Sequence, residues 1–208
     1  GVIQEFSANV SRLMSLLTRF LAAYYRSGLR GSYRITDVLA GRFRSLQSVP
    51  IETENGVICG DLRIPSARGI LAYPTSQSGE DSVMRRFVNK GDVVFDIGAH
   101  LGFYTLLLSS LVGERGKVFA FEPNPELLPS LERTIAPLAN VELFKVALSD
   151  RDGEAELFVP EDASMASLQD WTEGVVGQVH GVKCRMSVLD QLVASRELPV
   201  PHFIKCDV

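Results

Sequence analysis

The sequence predicts an α/β protein: a doubly wound, mostly parallel sheet with an N-terminal helical extension and a hairpin ahead of it. Three observations carry this prediction. From Gly91 onward, short apolar β-type runs alternate with helical patterns. The links between them are short, which requires right-handed crossovers and parallel strands. The charge is also divided. Residues 1–50 hold Arg at 12, 19, 26, 30, 34, 42 and 44 against Glu5 and Asp37, a net of +5 in a chain whose total is -4. Such a split marks a basic appendage on an acidic domain.

With 208 residues, 46% hydrophobic and 22% charged, the chain is long and apolar enough to bury a core without staples. Disordered, collagen-like and disulfide-scaffold classes are excluded by composition. The overall balance gives no reason to expect a nucleic-acid partner. The longest stretch free of Asp, Glu, Lys and Arg runs from Ile97 to Gly113 and contains His100 and three glycines, too short and broken for a membrane span. The order of a signal peptide is not seen at the N-terminus. Cys59, Cys184 and Cys206 are widely spaced, so neither a disulfide framework nor a zinc site is expected. These readings lead to a reduced, cytoplasmic setting and no metal.

The expected divisions are a basic amphipathic extension over 1–48, a hairpin and connecting helix over 49–90, and the main domain over 91–208. In the extension, Ile3, Phe6, Val10, Leu13, Leu17, Phe20 and Tyr24 recur at spacings of three and four, one apolar helical stripe ended by Gly28 and Gly31. It is read as packing on its own domain or on a second copy in a homo-oligomer. Attachment to a membrane surface is the second reading, because Arg flanks the stripe. Residues Ile51–Thr53 and Val57–Cys59 read as a hairpin turned by Asn55-Gly56. A loop over 74–82 follows, with Asp81 or Ser82 as the cap of a short helix to Val88.

The alternating region starts with Val93–Ile97, an apolar strand suited to burial on both faces. A helix from Gly102 to Val112 is closed by Gly113. Lys117–Glu122 is the second strand. Asn124-Pro125-Glu126 supplies a cap, a first-turn proline and a first-turn acid for a helix to Ile135. Val141–Val146 is the third strand. Glu154–Val159 and Val182–Met186 form an added hairpin or meander. Ser187–Asp190 has the form of a capping box for a helix to Arg196, and His202–Val208 is a further strand with which the given sequence stops.

The chemistry is concentrated in Asp96-Ile97-Gly98-Ala99-His100-Leu101-Gly102, between a buried strand and a helix. Gly98 permits a sharp turn, and Gly102 lets the helix start close to the strand end. Glu122 ends the next strand, where a carboxylate can accept hydrogen bonds from both hydroxyls of a ribose. The glycines are spaced G-x-x-x-G rather than the G-x-G-x-x-G of a dinucleotide site, and Asp96 would repel a pyrophosphate. An acid there suits a cofactor with an amino-acid tail. S-adenosylmethionine has a ribose, an adenine and such a tail, and no phosphate.

The run Gly91–Thr105 resembles the opening motif of the FkbM-type methyltransferases, class I enzymes that use S-adenosylmethionine. Phe121-Glu122-Pro123-Asn124-Pro125, then Val146-Ala147-Leu148-Ser149-Asp150, are similar to its second and third motifs. Phe203-Ile204-Lys205-Cys206-Asp207-Val208 looks like the start of the fourth, which normally continues through Glu-Gly and another acid. The similarity covers about residues 80–208 and implies a Rossmann-like sheet of strand order 3-2-1-4-5-7-6. This chain would hold strands 3, 2, 1 and 4, as a C-terminally truncated cofactor half. His100 stands where the family often has Asn.

The resemblance implies roles for individual residues. Asp96 would meet the methionine ammonium, directly or through water, although a strand-end acid can also simply cap the next loop. Gly98, Ala99, His100 and Gly102 would form the loop beneath the cofactor, and Thr105 would reach its carboxylate. Glu122, with Pro123 fixing the exit direction, would hold the ribose. Ala147 and Leu148 would flank the adenine, or serve only as core. Asp207 and His100 are the candidates for the catalytic base. Ser164 and Ser167 lie where such enzymes carry a serine-containing loop, and have no visible His–acid partner. The implied reaction is in-line transfer of a methyl group to a hydroxyl of a small-molecule acceptor, a sugar or secondary metabolite. The alternatives are a non-catalytic cofactor-binding module and a nucleotide-dependent oxidoreductase.

Overall fold

The structure, a computed structural model, describes residues 16–27, 32–75, 79–160, 166–168 and 179–207. It divides into two compact units, one through Thr75 and one from Ser76.

The first unit contains helix α1 (residues 16–26), α2 (Ser32–Arg42), a 3-10 turn (Arg44–Gln47), the hairpin β1 (Val49–Thr53) and β2 (Gly56–Gly60), and α3 (Pro65–Ala72). The hairpin forms where the sequence puts it, but its two-residue loop is Glu54–Asn55. Thr53 pairs with Gly56, whose φ of 137° is open only to glycine. Ile51 and Ile58 face each other on the buried side. Helix α3 falls in a segment whose sequence signals the hairpin alone. Pro65 opens it at a position where the missing N–H costs no hydrogen bond. Buried Arg68 then donates to the carbonyl of Leu62 at 3.0 Å.

Helix α1 corrects the expected stripe. Ile3, Phe6, Val10 and Leu13 lie outside the described residues, and Phe20 is 68% exposed. The buried positions are Leu21, Ala22 and Tyr25. The inward face is therefore rotated by about one residue from the apolar stripe. Thr18, Ala22 and Arg26 on that face line a cavity shared with Ile51, Val57 and Leu71 of the hairpin and α3.

The second unit holds α4 (Glu80–Phe87), β3 (Val93–Ile97), α5 (Phe103–Val112), β4 (Lys117–Phe121), α6 (Leu128–Ile135), β5 (Val141–Phe144), β6 (Val146–Leu148), β7 (Gly153–Pro160), β8 (Val179–Ser187), α7 (Leu189–Ala194) and β9 (Phe203–Cys206). Four strands form one parallel sheet in the order β5-β4-β3-β9. This matches the expected order 3-2-1-4. The chain leaves that sheet at Lys145, so the single third strand read from the sequence is in fact two. Strand β6 joins a second sheet, ordered β6-β8-β7, in which β7 and β8 make the expected antiparallel pair.

Alternation along β3 and β4 divides the core. Val94 and Val118 pack with Leu107, Leu108, Val112 and Met84 beneath α5 and α4. On the opposite face Phe95, Phe119 and Phe121 form an edge-to-face cluster closed by Leu198, with Leu189 and Leu192 of α7 against it. Each fully buried large side chain here contributes roughly 1.5–3 kcal/mol by area burial. Asp96 shares the Val94 face and is thereby aimed at α5.

Three predicted caps are replaced by other devices. Helix α4 starts after Gly79 without a side-chain cap, and the Ser82 hydroxyl donates back to the Gly79 carbonyl. Helix α6 starts four residues beyond Asn124, because the Asn124 side-chain oxygen accepts the Glu126 N–H at 3.0 Å and forms a separate turn first. Ahead of α7, Ser187 makes no cap. The Val188 N–H donates instead to Asp152 Oδ1 at 3.0 Å, from a residue far away in the chain. Helix α5, by contrast, closes at Gly113 as expected, with φ of 65°.

Candidate cofactor site

The site lies at the C-terminal ends of β3, β4 and β9, where an open parallel sheet binds its ligands. It is built on the loop from Gly98 to Gly102. Gly98, with φ of 79°, turns the chain away from β3. The N–H groups of Gly98 and Ala99 both donate to the carbonyl of Phe121, at 3.0 and 2.9 Å. His100 takes φ of 56°, unusual for a residue with a side chain. Gly102, with φ of 90°, caps α5 and lies against α6: a Cβ there would meet Leu131 and Thr134 at 3.1 Å.

Two carboxylates face this loop. Glu122 is buried just past β4, with Oε2 accepting the His100 N–H at 2.7 Å and Oε1 accepting the Asn124 N–H at 2.9 Å. Each carboxylate oxygen carries two acceptor positions, so two remain for further donors. Asp96 is fully buried in β3. Its Oδ2 accepts the Thr105 hydroxyl at 2.6 Å, while Oδ1 accepts no hydrogen bond and lies 3.5 Å from Lys205 Nζ. Burial raises both carboxyl groups above their usual range. Lys205 and the Thr105 hydroxyl oppose this at Asp96, and the two backbone N–H groups oppose it at Glu122.

The loop glycines, Ala99, His100, Asp96 and Glu122 are thus brought together, with Pro123 half-buried beside Glu122. Thr105 is fully buried and its hydroxyl donates to Asp96 Oδ2, so it supports that carboxylate. Ala147 is buried in β6 opposite Met186, and Leu148 packs against the Phe95–Phe121 cluster. Asp207 follows β9, with its N–H on the Ile97 carbonyl and a side chain 73% exposed. Ser167 pairs through its backbone with Phe158, and Ser164 lies outside the described residues.

Two members of the site were not singled out from the sequence. Asn124, fully buried, donates its N–H to Glu122 and organises the following turn. Lys205 sits beside Asp96 in the β3–β9 register. Its alternation with Asp207 along one strand was visible, but the neighbour across the sheet was not. Among the described residues no group of three His, Cys, Asp or Glu is placed to hold a metal ion, and no helix is long and apolar enough to cross a membrane.

The model of the methyltransferase FkbM domain matches residues 96–208, more than half of the chain and all of this site. The chain belongs to the FkbM methyltransferase family. Among solved structures, a protein of Clostridium thermocellum described as an rRNA methylase is 31% identical over 33% of this chain and 38% of its own, with a TM-score of 0.32. A SAM-dependent methyltransferase of Aquifex aeolicus is 32% identical over 34% and 42%, with a TM-score of 0.30. The matched part is under half of either protein's length. No curated protein matches. Within the FkbM domain, the match begins at Asp96 itself and runs through the loop, Glu122 and β9.

An S-adenosylmethionine molecule fits the donor set. The buried Asp96 Oδ1 accepts no hydrogen bond and has the Lys205 ammonium 3.5 Å away, so it already stands as a carboxylate that faces a cation, the role an ammonium tail would fill. Glu122 keeps acceptor capacity for two hydroxyls while its backbone partners hold it still. A pyrophosphate would meet two buried acids.

Proposed function

We propose that this chain is the cofactor-binding part of a class I, S-adenosylmethionine-dependent methyltransferase acting on a hydroxyl oxygen of a sugar or secondary metabolite. The observation that carries the reading is the pair Asp96 and Glu122, two buried carboxylates on adjacent strand ends facing one glycine loop.

When bound, the cofactor supplies an activated methyl group on a sulfonium, open to in-line displacement. The protein's part is orientation and proton removal. Asp96 binds the amino-acid tail through its ammonium, and Thr105 fixes the Asp96 carboxylate. Glu122 accepts the ribose hydroxyls, and the loop from Gly98 to Gly102 sets the depth of the pocket. Leu148 and Ala147 are assigned to the adenine side. Asp207, exposed at the end of β9, is the group best placed to take the acceptor proton, with His100 the second candidate. Oxygen as the acceptor atom rests on the family likeness.

Calorimetric titration with S-adenosylmethionine, and separately with NAD, tests this. Saturable binding of the first, lost in Glu122→Ala, supports the assignment. Binding of NAD instead would favour an oxidoreductase, and binding of neither would overturn the cofactor reading for this chain.

A further inference from the structure

The proposed reaction gives Lys205 no part, yet its side chain is only 9% exposed and its ammonium stands at the centre of the site. Nζ lies 3.5 Å from Asp96 Oδ1 and 3.4 Å from Asp207 Oδ2. It donates to the Gly98 carbonyl at 3.2 Å and sits 5.2 Å from the centre of the Tyr104 ring. The ammonium is therefore shared almost evenly between a fully buried carboxylate and an exposed one. Both separations exceed the length of a good charge-assisted hydrogen bond, about 2.7–2.9 Å. A displacement of less than about 1 Å would complete either bond at the expense of the other.

From this geometry we infer that Lys205 is a place-holding cation: it keeps Asp96 ionised in the free protein and passes to Asp207 when a cofactor ammonium takes over Asp96. The inference rests on the assignment of Asp96 to the amino-acid tail. An ionised carboxylate in a dry site needs a positive partner, or it takes up a proton. Lys205 provides that partner before any ligand arrives. Transfer to Asp207 is inexpensive, because Asp207 faces solvent and is well hydrated in either state. Two other charged groups face Asp96: Asp207, from the exit of β9, disfavours its ionisation, and Glu122, beyond β4, is itself raised by the Asp96 charge. Thr105, from α5, contributes only a hydroxyl proton.

The consequence is that cofactor binding requires no proton to leave the protein. Lys205 is a positioning residue in this scheme, and Lys205→Met is the informative variant. Without the lysine, Asp96 is protonated in the free protein, and an incoming ammonium must displace that proton to solvent.

The experiment is calorimetric titration with S-adenosylmethionine in two buffers of different ionisation enthalpy, from about pH 5.5 to about pH 7, where the cofactor's own amino group (~8) stays an ammonium throughout. The unmodified chain is expected to release no proton and to bind with an affinity nearly independent of pH. K205M is expected to release up to about one proton per cofactor, its affinity rising by up to about tenfold per pH unit. K205R restores the original behaviour. Equal weakening at every pH, without proton release, would mean a packing role and overturn the inference.

A ligand-free arm separates this from failure of the cofactor reading. In urea unfolding, K205M should lose stability with rising pH more steeply than the unmodified chain, and the added Asp96→Asn change should remove that extra slope. Equal slopes overturn the inference whatever binds. A steeper slope in a chain that binds no S-adenosylmethionine would leave the counter-ion role standing and remove only the exchange with a ligand. Folding of K205M only at acid pH is the same slope in extreme form. Failure to fold at any pH, with K205R no better, marks a packing role and also overturns the inference.

Discussion

The backbone N–H of His100 donates to Glu122 Oε2 at 2.7 Å, joining the glycine loop to the carboxylate that follows β4. His100 has φ of 56°, and a residue held in that region needs an external partner to keep it there. Glu122 is that partner. The acid therefore shapes the loop as well as offering acceptors to a ligand.

Replacing Glu122 with Gln should separate these two roles. The amide leaves one oxygen to accept, and its NH2 faces a backbone donor, His100 or Asn124, that now has no acceptor. We expect S-adenosylmethionine affinity to fall by about 10- to 100-fold, in line with about 1.5–3 kcal/mol for a hydrogen bond to a charged group. Amide hydrogen exchange at His100 and Asn124 should quicken. Weaker binding with unchanged exchange would limit Glu122 to ligand contact.

Asp96→Asn should stabilise the fold while impairing binding. Burial raises the Asp96 carboxyl in the folded state, so between its unfolded value and its folded value the native chain holds the extra proton. Stability then falls as pH rises through that window, and the full penalty is present above it. The midpoint gain from the amide should accordingly be largest near neutral pH and shrink as pH drops toward the usual carboxylate range. Denaturant titrations at several pH values measure it, and a gain that grew toward acid would contradict the assignment.

Gly102 and Gly113 both have left-handed φ, but only Gly102 is crowded. A methyl at 102 meets Leu131 and Thr134, whereas nothing lies within 4 Å at 113. Gly113 combines its positive φ with ψ of -171°, a region essentially confined to glycine, so Gly113→Ala should cost about 1–3 kcal/mol from backbone conformation alone. Gly102→Ala should cost about 1–2 kcal/mol from its left-handed backbone and about 2–4 kcal/mol in all, the remainder coming from the strain of α5 against α6. Urea midpoints of the two variants give the comparison directly.

Asn140, just ahead of β5, closes the C-terminal turn of α5. Its amide donates to the carbonyls of Ser109 and Gly113, each at 3.0 Å, and its oxygen accepts the Ser109 hydroxyl at 2.7 Å. Asn140→Ala removes all three and should destabilise by about 1–3 kcal/mol. Exchange should be fastest at the last turn of α5. Asn140→Asp should not rescue it, since a carboxylate would replace the donor facing two carbonyls.

What could be read in the sequence follows from the range of the interactions involved. Strand β3, the loop to Gly102, helix α5 and Glu122 are specified by neighbours a few positions apart, and each stands where periodicity and glycine spacing put it. The antiparallel pair β7–β8 was likewise legible as two alternating runs. Asn140, Asp152 and Lys205 act on partners tens of residues away, or 109 positions away in the β3–β9 register of Asp96 and Lys205. No local pattern reports such a pairing. The inward face of α1 was misread for a related reason: its apolar stripe records which side chains are large, while burial was decided by what fits the surface opposite. The bond from the Thr105 hydroxyl to Asp96 lies beyond any local pattern, because it depends on the burial of Asp96 beneath α5.

The Phe121 carbonyl, which accepts from both Gly98 and Ala99, makes the glycine loop a passenger of β4 rather than of β3, the strand it leaves. Glu122 is the residue that immediately follows β4. A small shear between the two strands would therefore move the loop and Glu122 together, as a cradle whose internal dimensions stay constant. Asp96 and Lys205, paired across β3 and β9, would form the opposing jaw. Under the proposed assignment the two ends of the cofactor would be held by different strand pairs, the tail by β3 and β9 and the ribose by β4 with the loop bonded to it.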